Sequence, residues 1–274
     1  MKVELLSNIW AMEPAYLQSL ASVDPEKRVI ELSAAMTRQP AEQPRKLAVV
    51  PIHGGIGLSR GWFAQTSTRE TVSAIHAAVA SENVGAILLH IDSPGGTVYG
   101  LEELAHTIRS AKKRKPVYAH VDGMAASAAY WIASQATEIS ASPGSDVGSI
   151  GVYTMHIDKS AMFEDAGLKV TLISAGEFKI EGNTFEPITD SARSHIQGRI
   201  DAAYQKFVSE VAKGRNVEKQ TVLDSFGKGR LVDSANARKY GMIDRVSGLA
   251  HTLGHINREM VRSQKIDSFI RKYK

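Results

Sequence analysis

Three short apolar segments, each followed by a stretch with helical periodicity, constrain the fold of this chain more than any other feature. The segments read LAVVPI, AILLHI and VYAHV and lie at residues 47–52, 86–91 and 117–121. After the first segment, Ser67 and Glu70 have the spacing of a capping box, which is typical of a helix start. This alternation is typical of parallel strands joined by helical crossovers, so the sequence predicts an α/β fold.

The pattern divides the chain into an arm, one domain and a tail. Residues 1–45 are rich in proline and polar residues and predict an N-terminal arm. Residues 46–250 predict a single domain, and residues 251–274 a basic helical tail. Inside the domain we predict three further β-type runs and two helices: runs at 138–142, 150–157 and 169–174, and helices over 126–136 and 190–213.

Composition excludes several classes of site and location. The chain has no cysteine, which excludes disulfides, thiolate metal sites and a cysteine nucleophile. Residues 1–20 carry acids and no unbroken apolar run, so they predict neither a signal peptide nor a membrane anchor. The least polar stretch, residues 123–133, is shorter than the roughly 20 residues of a membrane-spanning helix. We therefore expect a soluble, intracellular protein.

The charge of the chain is concentrated in its tail. Residues 251–274 carry six Lys or Arg and two acids, an excess equal to the whole formal net charge of +4. Apolar residues interleave with these charges, which favours a solvated terminal helix over a nucleic-acid-binding segment. His251, His255 and Glu259 share one helical face, but no fourth ligand accompanies them, so we predict no metal site.

Two loops that follow neighbouring predicted strands carry residues suited to catalysis. The glycines of DSPGG, residues 92–96, allow close backbone approach and can aim N–H groups at an oxyanion, although such glycines also form ordinary turns. Ser127 lies among alanines at a predicted helix start, where it is either a nucleophile or a helix cap. Ligands bind at the carboxyl ends of the strands in open α/β sheets, so we expect both loops at one site. We interpret Asp92 as a residue that fixes its loop.

Four motifs occur in order along the chain: DSPGG, GMAASAAYWIAS, GSIGV and SAGEFK, at residues 92–96, 123–134, 148–152 and 174–179. Together they resemble the signal peptide peptidase A family of serine proteases, which have the Clp/crotonase fold. Within that family, the resemblance is greatest to the head-maturation proteases of tailed bacteriophages; it covers about residues 46–246, and residues 12–20 also resemble the start of the phage enzymes. It implies an α/β, Clp/crotonase-like fold of repeated β-β-α units with helical N- and C-terminal extensions.

The resemblance implies a Ser/Lys dyad. Ser127 matches the nucleophile and Lys179 the general base, and the Ser149 hydroxyl would orient the Lys179 amine. A lysine amine accepts a proton only when it is uncharged, which requires burial among apolar groups such as the flanking Phe178 and Ile180. Because a guanidinium stays protonated in proteins, we expect Lys179→Arg to be inactive.

The resemblance also implies the oxyanion hole, formed by the backbone N–H groups of Gly96 and Ala128. We further predict that Gly95 and Met124 contact the substrate. No metal and no cofactor are predicted.

Histidine bases are the alternative to Lys179. His53, in an HGG motif, and His156 are candidates for a Ser/His/Asp triad. The related Clp peptidases place their histidine at the position of residues 151–153, which read Gly-Val-Tyr here. We therefore interpret both histidines as structural.

Together these features predict a serine endopeptidase that works through an acyl-enzyme. The phage-like motifs favour capsid maturation in the host cytoplasm, inside the procapsid, with scaffold, portal or coat protein as substrate and partner, and with self-assembly of the chain. The alternatives are a bacterial signal peptide peptidase-like enzyme that degrades peptides and a non-catalytic scaffold-binding capsid assembly protein. A crotonase-like acyl-CoA enzyme would use the same oxyanion N–H groups but would not need Ser127 and Lys179 together.

Overall fold

A computed structural model describes residues 10–12 and 45–272 of the chain. Most of the predicted arm, including the motif at residues 13–20, and the last two residues of the tail therefore lie outside the described residues. The strands are β1 Trp10–Met12, β2 Lys46–His53, β3 Ile56–Gly57, β4 Thr66–Ser67, β5 Val84–Ser93, β6 Gly95–Thr97, β7 Val117–Ala126, β8 Glu138–Ala141, β9 Asp146–Gly148, β10 Leu231–Asp233 and β11 Arg245–Val246. The helices are α1 Thr68–Ala80, α2 Leu101–Ala111, α3 Ala128–Ala133, α4 Ser160–Asp165, α5 Asp190–Arg215, α6 Lys219–Ser225, α7 Ser234–Lys239 and α8 Leu249–Lys272.

A mixed sheet of seven strands forms the centre of the domain. Its main path runs in the order β10-β9-β7-β5-β2, and β8 pairs with both β7 and β11. The pairs β2/β5, β5/β7, β7/β8 and β7/β9 are parallel, as the alternation predicts. A second, smaller sheet has the order β1-β6-β3-β4, and its strands β3, β4 and β6 follow the carboxyl ends of β2 and β5 in the chain. Parallel strands joined by α1 and α2 confirm the predicted α/β fold.

Most of the predicted strands and helices are confirmed, with small changes at their ends. The three apolar segments lie within β2, β5 and β7, and the run at residues 138–142 forms β8. Ser67 caps α1 by accepting a hydrogen bond from the Glu70 N–H at 3.3 Å. The helix predicted from residue 126 begins instead at Ala128, because β7 continues to Ala126.

The β-type runs predicted at residues 150–157 and 169–174 are wrong. Neither forms a strand, and Tyr153 makes only an isolated bridge. A β-run becomes a strand only where a neighbour supplies backbone partners. Residues 151–157 are half-buried and residues 169–174 are exposed, and neither run pairs as a strand. The short helix α4 lies between the two runs.

The sheet is covered on both faces. On one face the main core packs around α1, α2, α3 and α5, with Trp131 of α3 stacked on Phe207 of α5 at a ring distance of 4.7 Å. On the other face, Ile256 of α8 packs on Leu88 and Tyr118. His255, one of the residues of the helical face in the tail, pairs with Glu138 at 3.2 Å. Within residues 10–12 and 45–272, no helix has the apolar length to cross a bilayer.

A buried histidine ties α8 to the sheet. The ring of His120 on β7 is hydrogen-bonded to Thr252 of α8 at 3.1 Å and to Ser142 at 3.3 Å. Burial, and then the neighbouring His90, lower the pKa of His120 to about 4 from its usual 6.5. The folded chain therefore holds this ring uncharged at neutral pH.

The uncharged state of His120 predicts a loss of stability in acid. Between pH 6.5 and pH 4 the unfolded chain protonates His120 and the folded chain does not. The free energy of unfolding should therefore fall as the pH drops through this window, by up to about 1.4 kcal/mol per pH unit from this residue. Urea unfolding at several pH values should show that the free energy of unfolding depends less steeply on pH in His120→Asn than in the unaltered chain. The exposed His76→Asn serves as a control, and an equal slope in His120→Asn and the unaltered chain would contradict this prediction.

Candidate active site

Ser127 occupies a strained turn between β7 and α3. Its backbone has φ 54° and ψ −118°, and the residue is fully buried. The Ser127 N–H donates to the Gly148 carbonyl at 2.7 Å, and its carbonyl accepts from the Trp131 N–H at 3.0 Å. A non-glycine residue in this region costs about 1–3 kcal/mol, which the surrounding hydrogen bonds must offset. The turn therefore fixes the hydroxyl at the carboxyl end of a parallel strand.

Ser149 stands beside this turn in a similar conformation. It follows β9, which pairs with β7 through Gly148 and Ala126, and its φ is 51°. Its N–H donates to the Arg230 carbonyl at 2.9 Å. Within the described ranges, four non-glycine residues have positive φ, and two of them are these serines. The fold thus brings Ser127 and Ser149 to neighbouring strand ends, as the motifs predict.

The predicted oxyanion donors belong to the elements that flank Ser127. Ala128 is the first residue of α3, so its N–H has no partner within the helix. Gly96 lies in β6 and pairs with Ile56 of β3. A side chain on Gly96 would place its Cβ 1.8 Å from the Ile56 carbonyl oxygen, so only glycine fits there.

Ser93 is a positioning residue that the motif alone did not reveal. It is fully buried, and its hydroxyl donates to the Gly54 carbonyl at 2.6 Å and accepts from the Gly95 N–H at 3.2 Å. Ser93 thereby joins the HGG turn to the glycine strand. A serine at the end of a buried strand before two glycines was the available signal. Asp92, by contrast, is exposed and lies against Gly123, where a Cβ would be 2.7 Å from the Asp92 carboxylate.

Lys179 is exposed and does not contact the serines in this chain. It lies in a turn where its N–H donates to the Gly176 carbonyl at 3.2 Å. Among residues 10–12 and 45–272, no hydrogen bond or ion pair engages its ammonium group. The adjacent Phe178 is 61% exposed and Ile173 95% exposed. Apolar side chains are therefore close to Lys179 in the sequence, as expected, but they do not bury its amine.

The Ser127 hydroxyl is directed at the backbone that follows Ser149. Its Oγ donates to the Gly151 carbonyl at 3.4 Å. The two candidate histidines have other partners: His53 is hydrogen-bonded to His90 at 2.9 Å, and His156 to the Asn183 carbonyl at 2.8 Å. Neither takes the place of a base beside Ser127.

The two residues predicted to contact substrate lie in β6 and β7. Gly95 begins β6 with φ 95°, and Met124 is half-buried on β7 opposite Asp146 of β9.

Two models of known protein families match overlapping parts of the chain. The model of peptidase family S49 matches residues 109–260, and the Clp protease model matches residues 58–146. The two matches together include β6, the Ser127 turn, Ser149 and Lys179.

Similar proteins include phage and bacterial proteins. Capsid assembly protease C of Escherichia phage lambda is 32% identical over 65% of this chain, and head-tail preconnector protein GP5 of Enterobacteria phage P21 is 35% identical over 61%. Protease 4 of Haemophilus influenzae is 26% identical over 91% of the chain. The chain spans 42%, 34% and 41% of the lengths of these three relatives, respectively.

The close approach of β6 to β3 predicts that Gly96→Ala is destabilising. The added methyl group would collide with the Ile56 carbonyl and force the strands apart, at a cost of about 1–3 kcal/mol. Thermal unfolding should show this loss relative to Gly61→Ala, a control with open space around the new methyl group. Equal melting temperatures in the two variants would contradict the close packing.

The strained turn predicts that Ser127→Gly is more stable than Ser127→Ala. Both changes remove the hydroxyl, but only glycine adopts φ 54° and ψ −118° without steric cost. Relief of about 1–3 kcal/mol of strain exceeds the roughly 0.4–1 kcal/mol that glycine costs through the unfolded chain. Urea unfolding should therefore place Ser127→Gly about 1 kcal/mol above Ser127→Ala. An alanine variant of equal or greater stability would show that the turn is unstrained.

Proposed function

Because the chain belongs to peptidase family S49, a protease family, we propose that it is a serine endopeptidase with Ser127 as nucleophile and Lys179 as general base. The observation that carries this proposal is the buried, strained Ser127 turn at the carboxyl end of β7, beside the glycine strand β6. A sharp strand-to-helix turn of this kind presents a nucleophilic hydroxyl in other hydrolases.

The first half of the reaction forms an acyl-enzyme. Ser127 Oγ attacks the scissile carbonyl carbon, and the uncharged Lys179 amine takes the hydroxyl proton. The backbone N–H groups of Gly96 and Ala128 stabilise the oxyanion, and the positive end of α3 adds to that effect. When the C–N bond breaks, Lys179 returns the proton to the leaving amine.

The second half releases the product. Water attacks the ester carbonyl while Lys179 accepts its proton, and the C–O bond to Ser127 breaks with return of the proton to Oγ. Ser149 would orient the amine through its hydroxyl. An amine has no tautomer to fix, so an acidic third residue is not needed.

Assembly of the chain would supply the burial that Lys179 needs. A single chain leaves this amine exposed to water, whereas a lysine base needs apolar surroundings. The segment that carries Lys179 exposes a set of apolar side chains, and a surface of this kind is typical of a protein interface. We propose that a second copy of the chain covers them; they are Met162, Leu168, Leu172, Ile173 and Phe178.

The phage relatives support capsid maturation as the setting. The names of two relatives place them in capsid assembly and in the head-tail connection. We therefore propose scaffold, portal or coat protein as the substrate, cleaved in the host cytoplasm or inside the procapsid. The similarity to protease 4 over 91% of the chain favours, as the second candidate, a bacterial enzyme that degrades peptides. A non-catalytic assembly protein is the third possibility, which the exposed Lys179 favours.

The dyad predicts that three variants lose casein-cleaving activity. Ser127→Ala, Lys179→Met and Lys179→Arg should each reduce kcat/KM by at least about 10³-fold, because dyad members act as a unit and a guanidinium cannot accept the proton. The exposed Lys169→Met, in the same segment, should keep the activity of the unaltered chain.

The outcomes separate the candidates. Equal cleavage by Ser127→Ala and the unaltered chain would exclude Ser127 as the nucleophile. Activity in Lys179→Arg would exclude Lys179 as the general base. A well-folded chain without any Ser127-dependent cleavage would favour the non-catalytic assembly protein. Cleavage of scaffold or portal protein at defined sites, against broad degradation of peptides, separates the phage setting from the bacterial one.

A further inference from the structure

The glycine strand β6 has both of its edges occupied within the chain. On one side it pairs in parallel with β3, through Ile56 and Gly96. On the other side it pairs antiparallel with β1, with Ala11 opposite Gly96. The flanking pairs are Trp10 with Thr97 and Met12 with Gly95.

The edge that β1 occupies is the one a peptide substrate would need. A strand directs its N–H and C=O groups to both sides, so an extended peptide binds by adding to a free edge. The edge of Gly96 that faces β3 is already occupied, because Gly96 pairs there with Ile56. A substrate carbonyl that reaches Gly96 therefore has to approach along the β1 side.

The direction of β1 also suits this edge. β1 runs from the position opposite Thr97 to the position opposite Gly95. Gly95 lies two residues after Ser93, and Ser93 pairs with Ala125, which lies two residues before Ser127. The backbone of residues 10–12 thus leads along β6 towards the nucleophile turn.

We propose that β1 is a competitor carried by the chain itself, which must leave β6 before a substrate strand can bind. This inference rests on the proposed function, because it takes Gly96 as part of the site. A pairing of three residues is short and is readily displaced by a longer substrate strand. If β1 occupies the edge about nine-tenths of the time, the apparent affinity for substrate falls about tenfold.

Two adjacent proline substitutions in the full chain test the pairing. Successive N–H groups of a strand point to opposite sides, so only one of Ala11 and Met12 directs its N–H at β6. Proline lacks this donor, and it is tolerated on a sheet edge where the N–H faces outward. One of Ala11→Pro and Met12→Pro should therefore release β1, and the other is its matched control.

The readout is made without catalysis, in chains that also carry Ser127→Ala. Binding of fluorescein-labelled casein, measured by anisotropy, should tighten about tenfold in one proline variant only. Hydrogen exchange at the amides of Gly96 and Thr97 should accelerate in the same variant. Circular dichroism of both variants checks that the fold is kept.

Three outcomes would contradict the proposal that β1 competes with the substrate. Unchanged casein affinity in both proline variants would show that β1 does not compete, whatever the exchange rates show. Equal changes of casein affinity in both variants would show that the effect does not depend on which N–H faces β6, and would contradict the pairing of β1 with β6. A new N-terminus within residues 10–13 of the unaltered chain, absent in Ser127→Ala, would make β1 a substrate instead. Because binding is measured with Ser127→Ala, loss of the proposed catalysis alone would leave these results unchanged and is recognised separately by the absence of Ser127-dependent cleavage.

Discussion

The hydrogen bond from the Ser127 N–H to the Gly148 carbonyl is the interaction on which the proposed site depends. It holds a residue with φ 54° at the junction of β7 and α3, and it joins that junction to the end of β9. Ser149 follows Gly148 directly, so the same contact brings the second serine alongside the first. The parallel register of β7 and β9 then places both at one end of the sheet.

The glycine strand supplies the other half of the site, and it is held as firmly. Ser93 bridges Gly54 and Gly95, while β3 packs so closely on Gly96 that no side chain fits. These contacts keep the backbone of β6 fixed beside α3. The proposed nucleophile and the proposed donor strand are both held by buried contacts, whereas the segment that carries Lys179 is exposed.

Local pattern predicted the elements whose apolar periodicity is visible within a short stretch of sequence. The strands at residues 47–52, 86–91 and 117–121 and the helix over 190–213 follow from apolar periodicity, and Ser127 was expected at a helix start. The runs at 150–157 and 169–174 were wrong because periodicity does not reveal whether a partner strand exists. The pairing of β1 with β6 joins residues far apart in the chain, and the role of Ser93 depends on a contact with Gly54. The β1–β6 pairing has no local signal, and the serine before two glycines was the only local sign of the role of Ser93.

The central claim is that Ser127 becomes nucleophilic through Lys179. Treatment of the full chain with a serine-directed phosphonate, followed by mass spectrometry of its peptides, tests this claim most directly. We expect the adduct on Ser127, formed at a much lower rate in Lys179→Met. Equal labelling of Ser127 in that variant, or an adduct only on another serine in a chain that still cleaves casein, would contradict the account.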